Sequence, residues 1–282
     1  MRWLTDPGDW WVTPFTDNPF MRDAAVAALL TVVCTSIVGT WVVLRGLSFL
    51  GDALAHGVLP GIAIAWAMGQ STAVGALIAA IAMVAGVNLI RSSSPLPDDA
   101  SIGVLFVGFL ALAVVIMSAR GGAGDLNRFL FGSITGVDAP GLTRSAIVAG
   151  VTLIAAVIGH RAMVMTTFDP AQARIAGFSP RITHLALLVM TALAVVASFE
   201  TVGSLLVFAF LIAPPATASL LAGTVARIMV TAVGLGCVAA IVGLLISYHH
   251  RTAAGATMSL VSVSLFAIGL AIHNLRSRQS ST

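Results

Sequence analysis

Residues 24–44, AAVAALLTVVCTSIVGTWVVL, form an apolar run without a charged side chain. Its length matches the roughly 20 residues that a helix needs to cross the hydrocarbon core of a bilayer. Two of the comparable runs, 48–69 and 201–222, contain glycine, proline or charge and are candidates for partly re-entrant segments. The sequence therefore predicts an all-α membrane protein, a polytopic bundle of eight or nine transmembrane helices. The other candidate spans are 48–69, 72–90, 101–119, 141–160, 183–199, 201–222, 228–247 and 254–274.

Composition narrows the class of protein further. Of the 282 residues, 58% are hydrophobic and only 9% are charged, whereas soluble domains average about 25% charged residues. A soluble globule and a disordered chain are both excluded. All fourteen basic residues are arginine, so the lysine of a GxxxxGK[ST] phosphate loop is missing and any ATP is bound by another polypeptide. The net charge of +3 is scattered, which argues against a nucleic-acid partner.

The charged and aromatic residues also suggest boundaries and an orientation. Residues 1–23, with three tryptophans, are typical of an interfacial segment, although a flexible tail is the alternative. Residues 24–275 form the membrane domain and 276–282 a polar tail. If the N-terminus is outside and nine spans are present, eight arginines fall inside and six outside, which is the bias that cytoplasmic loops show. We expect a multi-pass protein of the plasma membrane.

The longest inside loop, 161–182, carries helix-capping signals. Asp169 is a good N-cap residue, Pro170 suits the first helical turn and Gly177 suits the position after the last turn. The pattern predicts about two turns of helix between two spans. Such a helix could dock a cytoplasmic partner, and a plain connecting loop is the alternative.

Asp52 and His56 are ionisable residues inside a predicted span. Their spacing of four places both side chains on one helix face. A carboxylate beside an imidazole is half of a site for zinc, manganese or iron(II), and ionisable groups within a membrane are functional by default. The alternative is a hydrogen-bonded pair that packs two helices together.

Glu200, the only glutamate, lies within the apolar stretch 184–222. It could complete an oxygen and nitrogen site or act as a gate, and a residue at the membrane surface is the alternative. Counting spans puts it nearly the roughly 30 Å of the bilayer core away from Asp52, so a shared site requires a broken segment. Pro214 and Pro215 free backbone carbonyls that either line a cation path or merely mark a packing kink. His249 and His250 point about 100° apart, a poor geometry for chelating one ion.

Several stretches resemble the manganese, zinc and iron-chelate ABC permeases. The segment RGLSFLGDALAHGVLPG (45–61) strongly resembles the first signature of that family. Shorter likenesses follow in order: LFGSI (130–134), FETVG (199–203) with APPATA (213–218), and AGAT (254–257). The resemblance covers residues 20–275. One departure is Ala253-Ala254, which stands where a proline usually precedes the last element.

This resemblance implies a permease of the type II ABC importer kind, which is not itself an enzyme. It implies a homodimer, a separate cytoplasmic ATPase and an extracytoplasmic metal-binding protein. No permanently bound cofactor is expected; the substrate is Zn²⁺ or Mn²⁺, with Fe²⁺ as a further possibility, moving along a path at the dimer interface. The implied metal ligands are Asp52, His56 and Glu200. The implied coupling helix, at about 169–177, involves Phe168, Asp169, Pro170, Arg174 and Gly177.

Three other functions compete with this interpretation. A permease for an iron chelate or siderophore would have a larger, drier cavity that does not need Asp52. An ATP-independent cation channel or secondary transporter would work without any ATPase. A membrane enzyme is disfavoured because no nucleophile motif such as GxSxG occurs.

Overall fold

The computed structural model describes residues 7–95, 97–119 and 139–279, and this part of the chain is almost entirely helical, without strands. Two short helices lead into a bundle of long ones, and one more short helix joins two of the long helices. The helices are α1 (Pro7–Trp11), α2 (Thr13–Asp17), α3 (Pro19–Leu44), α4 (Ser48–Gly57), α5 (Leu59–Ala67), α6 (Thr72–Ser93), α7 (Asp98–Ala119), α8 (Ala139–Phe168), α9 (Pro170–Ile175), α10 (Pro180–Val202), α11 (Ser204–Leu221), α12 (Val225–His250) and α13 (Ala254–Gln279).

Eight helical segments in the described ranges are long and apolar enough to cross a membrane. Helices α4 and α5 together count as one of them, Ser48–Ala67. Helix α11 is apolar but shorter, and it accounts for the ninth predicted span. The prediction of an all-α bundle of eight or nine membrane helices is confirmed.

Helix α3 is the centre of the bundle, packed by α8, α10, α11 and α12. Its buried face includes the fully enclosed Trp41. The same face carries hydroxyl groups that turn back to their own helix: Thr35 Oγ1 donates to the Thr31 carbonyl at 2.7 Å, and Thr40 Oγ1 donates to the Ser36 carbonyl at 2.8 Å. Because lipid offers no water, such internal hydrogen bonds let a core helix carry small polar groups.

The hairpin of α5 and α6 is held by a glycine pair. A Cβ atom built on Gly61 or on Gly75 would collide with the backbone carbonyl of the other residue. Ala79 and Ala65 lie one turn further along, each 2.6 Å from the same imagined Cβ atoms. Small residues spaced four apart therefore let the two backbones touch, as is common between membrane helices.

The proline pair lies inside α11 without ending it. Pro215 has no N–H, so the Leu211 carbonyl four residues earlier loses its helical partner. Helix α3 covers this carbonyl through Gly39, where any Cβ atom would collide with the Leu211 oxygen. The structure thus supports packing, rather than a cation path, as the role of this freed carbonyl. The break predicted within 201–222 falls before the helix, at Gly203, whose φ of 81° ends α10.

Arginine is concentrated at one end of the bundle. Arg45 contacts the end of α8, and Arg161 lies 6.0 Å from the Phe178 ring centroid near the start of α10. Of the eleven arginines in the described ranges, three lie near the opposite end, at 22, 144 and 251, and eight lie at this end. The positive-inside rule assigns the arginine-rich end to the cytoplasm. The eight are Arg45, Arg91, Arg161, Arg174, Arg181, Arg227, Arg276 and Arg278.

The N-terminal segment joins the bundle at the opposite end. Trp10 stacks on His249 with ring centroids 4.6 Å apart, and Asn18 Nδ2 donates to the Tyr248 hydroxyl at 3.1 Å. Helix α3 begins at Pro19, so residues 19–23 belong to the first long helix and not to a separate segment. At the C-terminal end the last long helix also extends beyond the expected boundary. Helix α13 continues to Gln279, into the segment 276–282 that was expected to be a polar tail.

The glycine contact predicts a sharp difference between two helical glycines. Gly75→Ala should lower the free energy of unfolding by about 1–3 kcal/mol, because the added methyl overpacks the α5–α6 contact. Gly150→Ala is the matched control, since a Cβ atom there would meet nothing within 4 Å. Thermal unfolding of the purified protein in detergent measures both. Equal melting temperatures for the two variants would contradict the packing account.

Candidate metal-ion path

Helix α4 carries Asp52 and His56 and is placed by two glycines. Gly51 leaves room for the Leu211 side chain of α11, and Gly57 leaves room for the Met83 sulfur of α6. The chain enters α4 through a tight turn at Gly46, whose φ of 69° is a left-handed conformation that glycine adopts without strain. Helix α4 therefore sits deeply between its neighbours with the two ionisable side chains on one face.

The side chains of Asp52 and His56 are hydrogen-bonded to each other. His56 Nδ1 lies 3.2 Å from Asp52 Oδ1 and 3.1 Å from the Asp52 carbonyl oxygen. Both oxygens are acceptors, so in neutral His56 the hydrogen is on Nδ1 and the lone pair is on Nε2. A carboxylate that orients an imidazole in this way is the usual support of a metal-binding histidine. The pair is thus arranged to offer Nε2 to an ion.

Two phenylalanine rings lie beside the Asp52–His56 pair. The Phe106 ring of α7 meets the His56 ring edge to face at 5.8 Å, and Phe49 meets Phe106 at 5.5 Å. The side chains of His56 and Asp52 remain 24% and 27% exposed, so the site is open on one side. No group of three His, Cys, Asp or Glu residues able to hold a metal ion occurs within the described ranges. Sequence reasoning missed Phe106, because nothing local links it to a residue fifty positions earlier.

Glu200 lies in the last turn of α10, and its side chain is outside the described part of the structure. Its backbone is closer to Asp52 than span counting predicted. Leu211, which packs against Gly51, is separated from the Gly203 turn by eight residues, about 12 Å of helix. Glu200 precedes the same turn by about 5 Å. The near-30 Å separation expected from span counting is therefore too large.

The remaining described histidines lie elsewhere. His249 packs on Trp10, and His160 meets the Trp41 ring at 5.6 Å. His273 Nδ1 lies 3.0 Å from the Leu220 carbonyl oxygen, which ties α13 to α11. The His249–His250 region is followed by a turn with Arg251 at a φ of 54°. The Ala253-Ala254 departure is thus accommodated by an ordinary helix–turn–helix.

Helix α9 has the predicted caps. Asp169 Oδ1 accepts hydrogen bonds from the backbone N–H groups of Ala171 at 3.1 Å and Gln172 at 2.9 Å. Gly177 has a φ of 85° and ends the turn as expected. Large apolar side chains at the two ends of α9 are exposed: Phe168, just before the helix, is 64% exposed, and Ile175, its last residue, is 83% exposed. The predicted short helix is confirmed, and it presents apolar and basic groups at the arginine-rich end.

Arg45, between α3 and α4, connects this part of the chain to the end of α8. Its Nη2 donates to Thr166 Oγ1 at 2.8 Å and its Nε donates to Thr167 Oγ1 at 3.0 Å. Burial and the nearby charge of Arg91 lower the pKa of Arg45 from its ordinary value. Arg45 is thus a half-buried cation that bridges the start of α4 and the residues just before Asp169. Its place in the 45–61 signature was the only sequence signal for this contact.

A separate cavity of about 570 Å³ lies between α3, α8 and α12. Neither Asp52 nor His56 lines this cavity, and its surface is almost wholly apolar. The siderophore alternative requires a larger, drier cavity independent of Asp52, but none of the residues that line this cavity belongs to the segments that resemble the permease family. The lining residues are Val33, Ile37, Leu153, Ala156, Val157, His160, Ala226, Met229, Val230 and Val233.

Comparison with known proteins places this architecture. Residues 17–273 match the ABC 3 transport family. The chain belongs to this family. It is a multi-pass membrane permease of an ABC importer, and ATP hydrolysis takes place in a separate subunit. The 130–134 stretch that contributed to the resemblance lies outside the described residues.

Relatives span nearly the whole chain. It is 33% identical over 270 residues to a probable iron transport system membrane protein of Haemophilus influenzae, covering 96% of this chain and 99% of that protein. It is also 33% identical over 249 residues to the manganese transport system membrane protein MntC of Listeria monocytogenes, covering 88% and 89%. The solved structure of PsaBC from Streptococcus pneumoniae with a Fab has a TM-score of 0.82 and 29% identity, covering 92% of this chain and 94% of that one.

The Arg45 bridge predicts a loss of stability on substitution. Arg45→Gln removes two charge-assisted hydrogen bonds to threonines and should lower the free energy of unfolding by about 2 kcal/mol. Arg227→Gln is the control, an exposed arginine at the same end of the bundle. Chemical denaturation monitored by tryptophan fluorescence measures the two. An unaltered midpoint for Arg45→Gln would show that the contact carries no net energy.

Proposed function

We propose that this permease transports a divalent transition-metal ion, manganese or zinc, with iron(II) as a further substrate. The observation that carries the proposal is the Asp52–His56 pair, placed within a membrane span with His56 Nε2 available to an ion. Ionisable groups are costly in a bilayer and mark ion pathways. The names of two relatives, one for manganese and one for iron, support the same class of substrate.

In this proposal each side chain has a role set by its chemistry. His56 supplies a nitrogen ligand through Nε2, and Asp52 orients the ring and contributes negative charge toward the cation. Glu200 adds an oxygen ligand or gates the path from the end of α10. The ion is held by few protein groups, so binding is weak enough for release. The mixed nitrogen and oxygen donors suit manganese, iron(II) and zinc.

We further propose that two copies of the chain form a homodimer with the path between them. The side chains of His56 and Asp52 remain 24% and 27% exposed next to α7. Helix α7 also carries exposed apolar side chains, among them Val104 and Val107, so a second copy packed along this edge of the bundle would cover both α7 and the exposed part of the pair around a twofold axis. An extracytoplasmic metal-binding protein would deliver the ion to the opposite end of the bundle.

Helix α9 is the proposed coupling helix. It lies at the cytoplasmic end, and its exposed Phe168 and Ile175 give the ATPase apolar contacts, while Arg174 adds positive charge at the edge that α9 shares with α6 and α10. Asp169, Pro170 and Gly177 fix where the helix begins and ends. ATP binding by the partner subunit would displace α9 and change which side of the membrane the path faces.

Uptake of radiolabelled Mn²⁺ and Zn²⁺ tests the proposed substrate. Cells would express the permease together with its ATPase and binding protein at matched levels. Asp52→Ala and His56→Ala should each reduce uptake of the transported ion about 10- to 100-fold, as loss of metal ligands or their supports does. Asp23→Ala and His250→Ala are matched controls, because they remove the same residue types outside the site.

The outcomes separate the alternatives. Uptake of one ion that both site variants abolish and both controls retain supports the proposal and identifies the substrate. Uptake that survives both site variants contradicts a role for the pair. Uptake of a ferric chelate without uptake of either free ion favours the siderophore alternative, and uptake that persists without the ATPase favours a channel.

The capping of α9 predicts a coupling defect that spares ion binding. Asp169→Ala removes two hydrogen bonds and should destabilise the helix by about 1 kcal/mol, reducing ATP-driven uptake several-fold. Asp169→Asn is the matched variant, because asparagine caps equally well. Uptake and ATPase activity in proteoliposomes measure the effect. If alanine and asparagine behave alike, the cap is not what positions α9.

A further inference from the structure

A basic pocket of about 700 Å³ opens at the cytoplasmic end between α6, α9 and α10. Three arginines contribute to it, one from each helix: Arg91, Arg174 and Arg181. Among the described residues that line it, none is a carboxylate. The full lining is Asn88, Arg91, Ser92, Arg174, Pro180, Arg181, Ile182 and Leu185.

The fold itself brings these three cations together. Arg91 lies in the last turn of α6 and Arg174 in the last turn of α9. Arg181 lies in the first turn of α10, directly after Pro180, where the helix N-terminus adds positive potential. Like charges converging on one cavity repel each other, and a bound anion removes that cost. The geometry of the pocket suits a phosphate group, since guanidinium groups bind phosphate oxygens through paired N–H donors.

An apolar groove of about 320 Å³ continues from this pocket along α6 and α10. The two cavities share Asn88 and Leu185. From Asn88 to Leu77 the groove follows eleven residues of α6, about 16 Å of helix. That length is close to half of the roughly 30 Å hydrocarbon core, the depth of one leaflet. The groove is lined by Leu77, Ala80, Ile81, Val84, Ala85, Asn88, Leu185, Val189, Ala192 and Leu193.

We propose that the pocket and groove together bind one anionic phospholipid of the cytoplasmic leaflet. The headgroup phosphate contacts Arg91, Arg174 and Arg181, and one acyl chain lies in the groove between α6 and α10. Basic pockets between membrane helices on the cytoplasmic side are typical sites for anionic lipid headgroups. An acidic segment of the ATPase would explain the arginines but not the groove, which descends from them into the membrane.

The lipid would connect three helices through one headgroup. It binds α6, α9 and α10 through one phosphate, so it would steady the orientation of α9 against the bundle. This consequence is independent of which metal ion the permease carries. It depends only on the position of the pocket and not on the proposed metal ligands.

Lipid titration of the purified permease–ATPase complex tests the site. Phosphatidylglycerol, phosphatidylcholine and glycerol 1-phosphate would each be added in detergent while the melting temperature is recorded. We expect phosphatidylglycerol to raise it saturably and the other two to have little effect at the same concentrations. The variant Arg91→Gln with Arg181→Gln should weaken the apparent affinity for phosphatidylglycerol about 25-fold, roughly fivefold for each arginine.

Matched variants make the result decisive. Arg227→Gln with Arg276→Gln removes two arginines at the same end but outside the pocket, and it should retain the wild-type affinity. Arg91→Lys with Arg181→Lys keeps the charge and should retain most of the affinity. Ala85→Phe fills the groove and should weaken phosphatidylglycerol binding with every arginine in place. The last two variants keep the test valid if the glutamine variant does not fold.

Four results would overturn the proposal. Equal stabilisation by phosphatidylcholine would mean that the arginines are not used. Saturation by glycerol 1-phosphate at the same concentration would mean a soluble phosphate site without an acyl chain. Unchanged phosphatidylglycerol affinity in the Arg91 and Arg181 variant would place the lipid elsewhere. Lipid binding by the permease alone that disappears in the complex would assign the pocket to the ATPase interface.

Discussion

The hydrocarbon core of a bilayer has no water to satisfy a backbone amide, a carbonyl or a charged side chain, and this constraint explains most of the architecture. Backbone groups are enclosed in long helices, and the hydroxyl groups of Thr35 and Thr40 on α3 return to carbonyls of their own helix. Where Pro215 frees the Leu211 carbonyl, Gly39 covers it. Asp52 and His56 obey the same rule by bonding to each other. In the proposed function an ion binds His56 Nε2 and leaves this bond at Nδ1 in place.

Close helix packing gives this polar pair a rigid setting. Gly51 and Gly57 let α4 lie against α11 and α6, and Gly61 and Gly75 bring α5 against α6. In lipid, no hydrophobic force drives the helices together, so their association depends on close van der Waals contacts of this kind. The side chains of the pair therefore project from a segment that is held on two sides. On a further side Phe106 of α7 contacts the His56 ring, and the side chains of His56 and Asp52 remain 24% and 27% exposed.

The sequence was most informative where the deciding physics is local. Span lengths follow from apolar runs, and the helix boundaries at Asp169 and Gly177 follow from conformation and hydrogen bonds within a few residues. The contacts of Arg45 with Thr167 and of His56 with Phe106 join distant parts of the chain, so no local pattern predicts them. The role of the proline pair was equally ambiguous in sequence, because a freed carbonyl has the same signature whether it meets an ion or another helix.

Arg45 lies between the two regions to which we assign functions, the Asp52–His56 pair and helix α9. It lies seven residues before Asp52, and its hydrogen bonds reach Thr166 and Thr167, three and two residues before the cap of α9 at Asp169. A half-buried guanidinium holds such partners in a fixed geometry, since each donor points in a set direction. A displacement of α9 would therefore be transmitted to the start of α4 through hydrogen bonds and not only through the intervening helices. Packed side chains and hydrogen-bond networks commonly carry coupling energy between distant sites, and the Arg45 side chain supplies a link of that kind.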